Sequence, residues 1–531
     1  MPTAQSSGTT SAIVSVAHLL EHTATRWPQA PAVTFADTTQ SWADTARRCR
    51  NLAAAFQQLG VRRGDRVAYL GFNSLTSFEL FFAPALIGAI LVPVNFRLAL
   101  GEMIECVEDA RPELLVVDDD HLEQARALAR ACPSLRTLIH AGAHSTSRET
   151  TLQDLLSYAQ LAETAATPQG EPGAGDDTLV LFYTGGTTGR AKGVMLSHNN
   201  LLANAQGTAP LYEMRVNEAY LLASPMFHAA AGSRIYTATL MGAHTVIMAR
   251  FDAADAIAAI DTHRINCLQL VPTTIQMILD HPDLDQRDLS SLRMISYGAA
   301  PMPVPLLQRT VERFPGIRFF QSYGMTECSP VISVLSAADH QLTGDYRARL
   351  GSVGRPVDYV QIRILDEYDN VVDDGVTGEI AVKGPNVMQG YWQAPELSRA
   401  ALRDGWYHTG DGGYFNEAGY LVLAGRMKDM IVSGGENVYP IEIENQLCRH
   451  PAVRECAVIG VPHEKWGEAV HAIVRLREGH SASEKQLIDY CREHIAHYKC
   501  PVGITFRDQP MPLSSVNKVM KSELKKWYAE Q

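Results

Sequence analysis

From Asp177 onward the chain alternates short apolar runs with stretches of helical periodicity, and this alternation limits the possible folds more than any other feature. A strand followed by a helix and another strand needs a crossover, so neighbouring strands of this kind run parallel. The pattern therefore predicts an α/β fold with mainly parallel sheets. We predict strands at residues 179–183, 220–223, 245–249, 267–271, 294–297 and 319–320, and helices at residues 197–206, 253–263, 273–280 and 304–314.

The remaining residues predict further folding units, because 531 residues are too many for one hydrophobic core. Residues 16–95 predict a second α/β unit, and the polar residues 141–176 predict a linker. After Gly351, short strands separated by glycine, at residues 360–365 and 378–382, predict a β-rich subdomain. We therefore expect a large N-terminal domain, residues 1–427, of two α/β subdomains with mainly parallel sheets plus the β-rich subdomain. A small mobile α+β C-terminal domain, residues 428–531, follows.

The composition excludes several classes of protein. A net charge of −12 without basic runs argues against broad binding to nucleic acid or anionic membranes. No apolar stretch reaches the length of a bilayer-spanning helix, and no basic segment of a signal peptide opens the chain. The nine cysteines form no CxxC pair and fit reduced thiols. We expect a cytoplasmic protein without integral membrane association.

A glycine- and threonine-rich loop, residues 184–193, directly follows the apolar run 179–183. Its glycines allow backbone N–H groups to converge on phosphate oxygens, its threonines add hydroxyl donors, and Lys192 adds a positive charge. The loop is not a Walker A motif, because Lys192 lies between Ala191 and Gly193. We interpret it as a phosphate-binding loop, with a glycine-rich surface turn as the alternative. A magnesium ion would then need ligands elsewhere.

Residues 321–327 place aromatic, hydroxyl and carboxylate groups where a strand is predicted to end, which is where open α/β sheets bind ligands. Tyr323 can stack on a purine, Thr326 can donate to a phosphate, and Glu327 can hold Mg²⁺. A core aromatic and a solvated surface acid are the alternatives.

An acidic turn and a basic loop complete the candidate residues. Asp411 lies between glycines, and Arg426 follows fifteen residues later, so the two can hold ribose hydroxyls. A plain turn Asp and a surface Arg are the alternative. Lys518 lies in a polar loop near the end of the chain.

These segments, in this order, resemble the adenylate-forming superfamily, which comprises acyl-CoA synthetases, peptide-synthetase adenylation domains and beetle luciferases. Within it the chain looks like a fatty-acid or aryl-acid CoA ligase of the acyl-CoA synthetase family. The resemblance extends from about Ala17 to Tyr528, and six ordered motifs make chance an unlikely source of it. The strongest motifs are residues 181–192, 323–327, 407–411, 425–429 and 434–440, together with Lys518.

The resemblance implies a role for each candidate residue. The ATP phosphates would be held by the residues Thr184, Gly185, Gly186, Thr187, Thr188, Gly189 and Lys192. The adenine would pack on Tyr323, beside Gly298, Ala299 and Ala300, and Gly324 and Met325 belong to the same segment as Tyr323. Thr326 would contact phosphate, Glu327 and Thr184 would hold Mg²⁺, and Asp411 and Arg426 would bind ribose. Lys518 would bridge the carboxylate and the α-phosphate, Lys428 would lie at the hinge, and Ser433, Gly434 and Gly435 would face the thiol tunnel. The implied catalytic set is Lys518, Thr184, Glu327 and His228.

Two positions depart from the family pattern, because Asn517 and Ala191 stand where Gly and Pro are common. Asn tolerates the left-handed backbone nearly as well as Gly, so the first change is expected to be benign. Ala191 is expected only to reduce the stiffness of the loop.

The acyl-pocket motif narrows the expected activity. Amino-acid adenylation domains carry an Asp after the Phe of this motif to pair with the substrate ammonium, but here Phe227 is followed by His228. The chain also ends thirteen residues after Lys518, which leaves no room for a carrier domain. Both features favour a free-standing ligase that joins a carboxylic acid to CoA through an acyl-AMP intermediate, with ATP, CoA and the acid as its small-molecule partners. A homodimer is left open.

The small residues 229–232 predict an acyl pocket that accepts a medium- or long-chain fatty acid or an aryl-propenoic acid, with His228 as a wall or gate. Close packing of helix and strand is the alternative reading of these residues. Two other activities stay open. One is an acyl-AMP ligase that delivers to a carrier protein or another nucleophile, and the other is a nucleotide-binding module without catalysis.

Overall fold

The computed structural model describes residues 13–142, 155–185, 191–300, 302–342, 349–513 and 519–531. Its strands, in chain order, are β1 (Pro31–Phe35), β2 (Thr38–Ser41), β3 (Arg66–Leu70), β4 (Ile90–Pro93), β5 (Leu114–Val117), β6 (Thr137–His140), β7 (Leu156–Ser157), β8 (Thr178–Thr184), β9 (Lys192–Ser197), β10 (Ala219–Leu222), β11 (His244–Ile247), β12 (Cys267–Leu270), β13 (Met294–Gly298), β14 (Arg318–Gly324), β15 (Val331–Leu335), β16 (Arg355–Pro356), β17 (Gln361–Leu365), β18 (Gly378–Lys383), β19 (Gly390–Tyr391), β20 (Leu402–Arg403), β21 (Trp406–Phe415), β22 (Leu421–Arg426), β23 (Ile431–Ser433), β24 (Glu436–Val438), β25 (Val453–His463), β26 (Gly467–Leu476) and β27 (Gly503–Phe506).

The α-helices begin at polar caps in several places, where Ser15, Ser41, Ser74, Ser197 and Asp252 accept hydrogen bonds from the first turn. They are α1 (Val16–Arg26), α2 (Trp42–Gln58), α3 (Leu75–Leu80), α4 (Leu100–Ala110), α5 (Leu122–Ala131), α6 (Tyr158–Glu163), α7 (His198–Leu211), α8 (Ala229–Leu240), α9 (Ala253–Thr262), α10 (Pro272–Leu279), α11 (Val304–Arg313), α12 (Pro395–Ala401), α13 (Pro440–Leu447), α14 (Glu484–Arg492) and α15 (Lys521–Ala529). None of the helices in the described ranges has both the length and the apolar character that crossing a membrane requires.

Two large sheets form the body of the N-terminal domain. The nine-stranded sheet has the order β16-β15-β14-β13-β12-β10-β11-β1-β2, and the eight-stranded sheet has the order β19-β9-β8-β4-β3-β5-β6-β7. Their central strands pair in parallel, whereas antiparallel pairs lie towards the edges. The predicted mainly parallel sheets are thus confirmed.

The two α/β units interleave along the chain. Strand β1 pairs in parallel with β11, with Val33 opposite Thr245, so the N-terminal strands belong to the nine-stranded sheet. The hairpin β8–β9 belongs instead to the eight-stranded sheet, because β8 pairs with β4. Each sheet therefore contains strands from both parts of the N-terminal domain.

A shared hydrophobic core lies between the two large sheets. Helices α1, α2 and α8 contribute to it, and aromatic rings of Phe78, Phe82 and Tyr236 pack at centroid distances of 5.5 and 5.9 Å. A second core joins α9, α10 and α11 to the nine-stranded sheet, and a third joins α4 and α5 to the eight-stranded sheet. Helices thus cover both faces of each sheet, as parallel sheets require.

Two smaller sheets follow. Strands β17, β18, β20, β21 and β22 form the β-rich subdomain, and β23–β27 form the sheet of the C-terminal domain. The C-terminal sheet packs with α13 and α14 around its own core, which includes Ile431, Ile443 and Val458. The predicted fold class, an α/β protein with a β-rich subdomain and a separate α+β C-terminal domain, is confirmed.

Two elements near the predicted site did not emerge from the sequence. Strand β9 lies between the glycine-rich loop and α7, and α8 follows the acyl-pocket motif. Helix α8 has no amphipathic pattern because it is buried on nearly all sides, and small residues allow this. A Cβ on Gly232 would lie 2.8 Å from atoms of the Phe81 and Phe182 rings.

A buried carboxylate fastens the helices of the first unit. Glu79 on α3 is 0% exposed, and its oxygens accept hydrogen bonds from Gln40 and from the Tyr158 hydroxyl, both at 2.9 Å. The Arg48 guanidinium on α2 pairs with the same carboxylate. Arg48 also pairs with Glu163, whose side chain is more than half exposed.

We predict that Glu79→Ala lowers the free energy of unfolding by about 3–5 kcal/mol, because the buried Tyr158 hydroxyl loses its acceptor and the partly buried Arg48 guanidinium loses the more buried of its two carboxylates. Glu163→Ala is the matched control on the same arginine and is expected to change it by less than about 1 kcal/mol. Urea unfolding of both variants at one pH measures the difference. Equal losses would show that burial of Glu79 is irrelevant.

Candidate active site

The carboxyl ends of β8, β13 and β14 bring the predicted site residues to the edges of the two large sheets. Strands β13 and β14 are parallel neighbours, and Gly298 lies opposite Ser322. A Cβ on Gly298 would overlap the carbonyl oxygen of Ser322, and one on Gly324 would overlap that of Pro330. The backbones approach so closely at both positions that only glycine fits.

The glycine-rich loop closes a β-hairpin. Thr184, at the end of β8, pairs with Lys192, at the start of β9, and Gly185 is exposed beside it. Gly186, Thr187, Thr188 and Gly189 lie outside the described residues. The helix predicted to begin near Ser197 is confirmed, because Ser197 caps α7.

Tyr391 links the loop lysine to the predicted metal-binding acid. The Lys192 Nζ atom lies 5.1 Å from the centroid of the Tyr391 ring, and the Tyr391 hydroxyl donates to Glu327 Oε1 at 3.1 Å. Burial, and then the charge of Glu327, raise the pKa of Tyr391 above its ordinary value, so the phenol stays protonated and donates. We call Lys192, Tyr391 and Glu327 the Tyr391 network.

Sequence reasoning missed Tyr391. Its neighbours Gly390 and Trp392 give it the appearance of a structural aromatic, and strand β19 brings it to the site only by pairing with β9. Only the tertiary structure therefore identifies Tyr391 as a residue of the site.

Glu327 lies in a short 3₁₀ turn, Thr326–Cys328, directly after β14. The turn is fastened where the Met388 amide donates to the Glu327 carbonyl at 2.8 Å. Glu327 Oε2 accepts no hydrogen bond from the described part of the chain. Together with the Thr184 hydroxyl it offers the oxygen ligands that Mg²⁺ prefers, so these residues fit the ion.

Tyr323, Asp411 and Arg426 form a second hydrogen-bonded chain. Asp411 on β21 lies opposite Arg426 on β22, with 2.8 Å between Asp411 Oδ1 and Arg426 Nε. The Tyr323 hydroxyl donates to Asp411 Oδ2 at 2.7 Å. Burial, and then the charge of Asp411, raise the pKa of Tyr323, so its hydroxyl remains a donor. We call these three residues the Asp411 network.

The turn before Asp411 is held by hydrogen bonds. Gly410 has a left-handed φ of 69°, and its amide donates to Glu379 Oε1 at 3.0 Å. The Asp411 amide donates to the Thr409 hydroxyl at the same distance. Glu379 thus helps to position the carboxylate of the Asp411 network.

Glu379 also belongs to a cluster with Asp369 and His408 whose ligand atoms lie within 4.8 Å of one another. The Arg403 guanidinium lies among them, 2.9 Å from Asp369 Oδ1 and 2.6 Å from His408 Nδ1. An arginine already compensates the acids, so the cluster supports the turn and is not a metal site.

The other predicted adenine and pocket residues lie at the same strand ends. Ala299, between Gly298 and Ala300, has a φ of 63°, which is strained for a residue with a Cβ. Met325 is partly buried and packs against the shared core. His228 directly precedes α8, with its ring centroid 4.3 Å from that of Phe227.

The C-terminal candidates occupy two turns. Lys428 is exposed in the 3₁₀ turn Met427–Asp429, between β22 and β23. Ser433, Gly434 and Gly435 form the tip of the β23–β24 hairpin, where both glycines have left-handed φ angles of 62° and 90°. Lys518 lies outside the described residues, although its flanking residues Leu513 and Val519 pair as an antiparallel bridge.

The family model described as "AMP-binding enzyme" matches residues 20–392, and that described as "AMP-binding enzyme C-terminal domain" matches residues 442–518. The chain therefore belongs to the AMP-binding enzyme family.

Three comparisons place the chain among named members of this class. It is 38% identical to a feruloyl-CoA synthase from an Amycolatopsis species over 94% of this chain and 96% of that protein. It is 36% identical to the indoleacetate–CoA ligase of Aromatoleum aromaticum over 95% and 96% of the two chains. The o-succinylbenzoate CoA synthetase of Bacillus subtilis, solved with its acyl-adenylate, has a similar structure, with a TM-score of 0.82 and 30% identity over 96% and 97% of the chains.

We predict that Asp411→Asn weakens ATP binding by about 10- to 100-fold, because a charged acceptor of ribose hydroxyls is worth about 1.5–3 kcal/mol. Asp366→Asn is the matched control, since Asp366 accepts only from its own turn at Tyr368 and Asn370. Titration calorimetry with ATP measures both. Unchanged affinity in the first variant would remove Asp411 from the nucleotide site.

Proposed function

We propose that this chain is an AMP-forming ligase that joins a carboxylic acid to CoA at the expense of ATP. The single observation that carries the proposal is the convergence of the Tyr391 and Asp411 networks on one strand end, the segment from Tyr323 to Glu327. Two relatives that share more than a third of its residues are CoA ligases of aromatic acids by name, which supports the same reaction class.

The reaction has two half-reactions. A carboxylate oxygen attacks the α-phosphorus of ATP, the bond to pyrophosphate breaks, and acyl-AMP forms. The CoA thiol then loses its proton, its sulfur attacks the acyl carbon, and AMP leaves. Because the first step brings two anions together, cations and donors must stabilise its transition state.

The residues fall into roles that follow from their chemistry. Thr184, Lys192 and the glycine-rich loop hold the phosphates, the Asp411 network holds the adenosine, and Lys518 neutralises charge between the carboxylate and the α-phosphate. Magnesium, when bound by Glu327 and Thr184, supplies further positive charge. The Tyr391 hydroxyl orients the Glu327 carboxylate for this task.

The two halves of the reaction need different groups at one site, which supports a mobile C-terminal domain, residues 428–531. The exposed turn at Lys428 is the proposed hinge. Ser433, Gly434 and Gly435 would face the thiol path, and their hairpin tip lies beside Trp466, whose carbonyl accepts from the Gly434 amide at 2.9 Å.

An aryl-propenoic acid is the substrate class that we favour over a fatty acid. Ala230, at the start of α8, is small and only partly buried, so a flat group has room there near His228. The feruloyl-CoA synthase relative acts on such an acid by name. None of the nine cysteines, all within the described residues, forms a disulfide, which supports a reducing compartment such as the cytoplasm.

We predict CoA-dependent AMP release when the protein meets ATP, Mg²⁺ and an aryl-propenoic acid in a panel of short, medium, long and aromatic acids. AMP release that depends on a carrier protein and not on CoA would identify the alternative acyl-AMP ligase. ATP binding without pyrophosphate exchange for any acid would refute both activities.

A crossed pair of substitutions tests the two-domain mechanism. We predict that Lys518→Ala lowers adenylation by about 100- to 1000-fold, the loss expected for one transition-state donor, yet keeps thioester formation from supplied acyl-AMP. Lys428→Pro is expected to do the reverse, because proline fixes φ at the hinge. Lys526→Ala, an exposed helix lysine paired with Glu523, and Lys428→Ala are the controls. Equal losses in both half-reactions would contradict the assigned roles.

A further inference from the structure

Arg234 on α8 is a buried cation without a carboxylate. Its residue is 5% exposed, and no Asp or Glu oxygen of the described residues lies within salt-bridge distance of it. Its Nε atom donates to Gln269 Oε1 at 3.2 Å, and its guanidinium carbon lies 4.1 Å from the centroid of the Tyr212 ring. Arg48 and Arg293, which are also little exposed, each pair with a glutamate.

In this arrangement only one of the three guanidinium nitrogens, Nε, donates a hydrogen bond to the described residues. Nη1 and Nη2 of Arg234 donate to none of the described residues, although their fork suits an oxygen acceptor. An aromatic face and one neutral amide offset only part of the desolvation of a buried charge. A purely structural arginine would place its donor fork on a protein partner.

The position of Arg234 connects it to the proposed acyl pocket. Arg234 lies one helical turn after Ala230, on the same face of α8. Gln269 joins the two, because its Nε2 donates to the Ala230 carbonyl at 3.2 Å while its Oε1 accepts from Arg234. The small-residue start of α8 therefore leads directly to the guanidinium.

Tyr212 connects Arg234 to the strand that carries the adenine residues, because the guanidinium lies over the Tyr212 ring. The Tyr212 hydroxyl lies 2.5 Å from the Ser322 hydroxyl on β14, one residue before Tyr323. The guanidinium is thus linked to the start of α8 through Gln269 and to β14 through Tyr212.

We propose that Arg234 determines acid specificity by donating to an oxygen at the far end of the acyl group. The preferred substrates are therefore acids that carry a second oxygen-bearing group, such as a ring hydroxyl or a second carboxylate, and not plain hydrocarbon acids. The proposal rests on the proposed function. An unsubstituted acid would offer Nη1 and Nη2 no acceptor, and sites built around such donors reject analogues that lack the acceptor.

The test compares 3-phenylpropenoic acid with its 4-hydroxy and 4-carboxy derivatives, using kcat/KM for CoA-dependent AMP release. We expect the wild type to prefer at least one oxygenated acid by about 10-fold or more. Arg234→Met is expected to lose about 30-fold on that acid and to change less than about 3-fold on the unsubstituted one. Arg234→Lys, which keeps the charge without the fork, is expected to retain part of the preference.

Ratios of two acids within one variant cancel any difference in the amount of folded enzyme, and Arg234→Gln replaces the Met variant if that one does not fold. Arg318→Met, which removes an exposed pair with Glu213, is the control and should leave the ratio unchanged.

Equal losses on all acids, or a wild type that prefers the unsubstituted acid, would overturn the role of Arg234 while leaving the ligase activity intact. A wild type that releases AMP with none of the acids in the wider panel would refute the proposed function, and the specificity proposal with it.

Discussion

Two phenol–carboxylate hydrogen bonds join three sheets at the candidate site, and the geometry of the site depends on them. Tyr323 extends from the nine-stranded sheet to Asp411 in the β-rich subdomain. Tyr391, at the edge of the eight-stranded sheet, extends to Glu327 beyond β14. Both phenols are kept protonated by burial and by their acidic partners, so each is a dependable donor. The site is thus assembled by contacts between units and not within any single one.

Buried charge is treated in two different ways in this chain. The Arg48 guanidinium is neutralised by Glu79, and that pair fastens helices of the first unit. Arg234 is also buried, but no carboxylate among the described residues pairs with it. In our proposal an oxygen of the bound acid interacts with its positive charge instead. Charge that the chain compensates itself serves stability, whereas charge left open is available for recognition.

Local pattern predicted much of the fold and part of the site. The apolar runs that became β8, β10–β14 and the helices α9–α11 were correct within a few residues, because their periodicity is a local property. The sequence assigns Asp411 and Arg426 to the same ribose, and the structure pairs the two residues across β21 and β22. Tyr391 and Arg234 could not be predicted, since burial and the identity of a neighbour across a sheet arise only on packing. Helix α8 was not predicted for the same reason, because a helix that is buried on nearly all sides has no polar face to identify it in the sequence.

The pairing of β1 with β11 affects how the chain folds during its synthesis. Val33 leaves the ribosome long before its partner Thr245 exists. The first strands must therefore wait, with their edge unpaired, while roughly two hundred residues are added at a rate of about 5–20 per second. During those seconds a nascent edge strand is open to pairing with the wrong chain. Pairing between such distant segments joins the two large sheets into one N-terminal domain. It also leaves the growing polypeptide exposed to wrong pairing until the middle third of the chain has been synthesised.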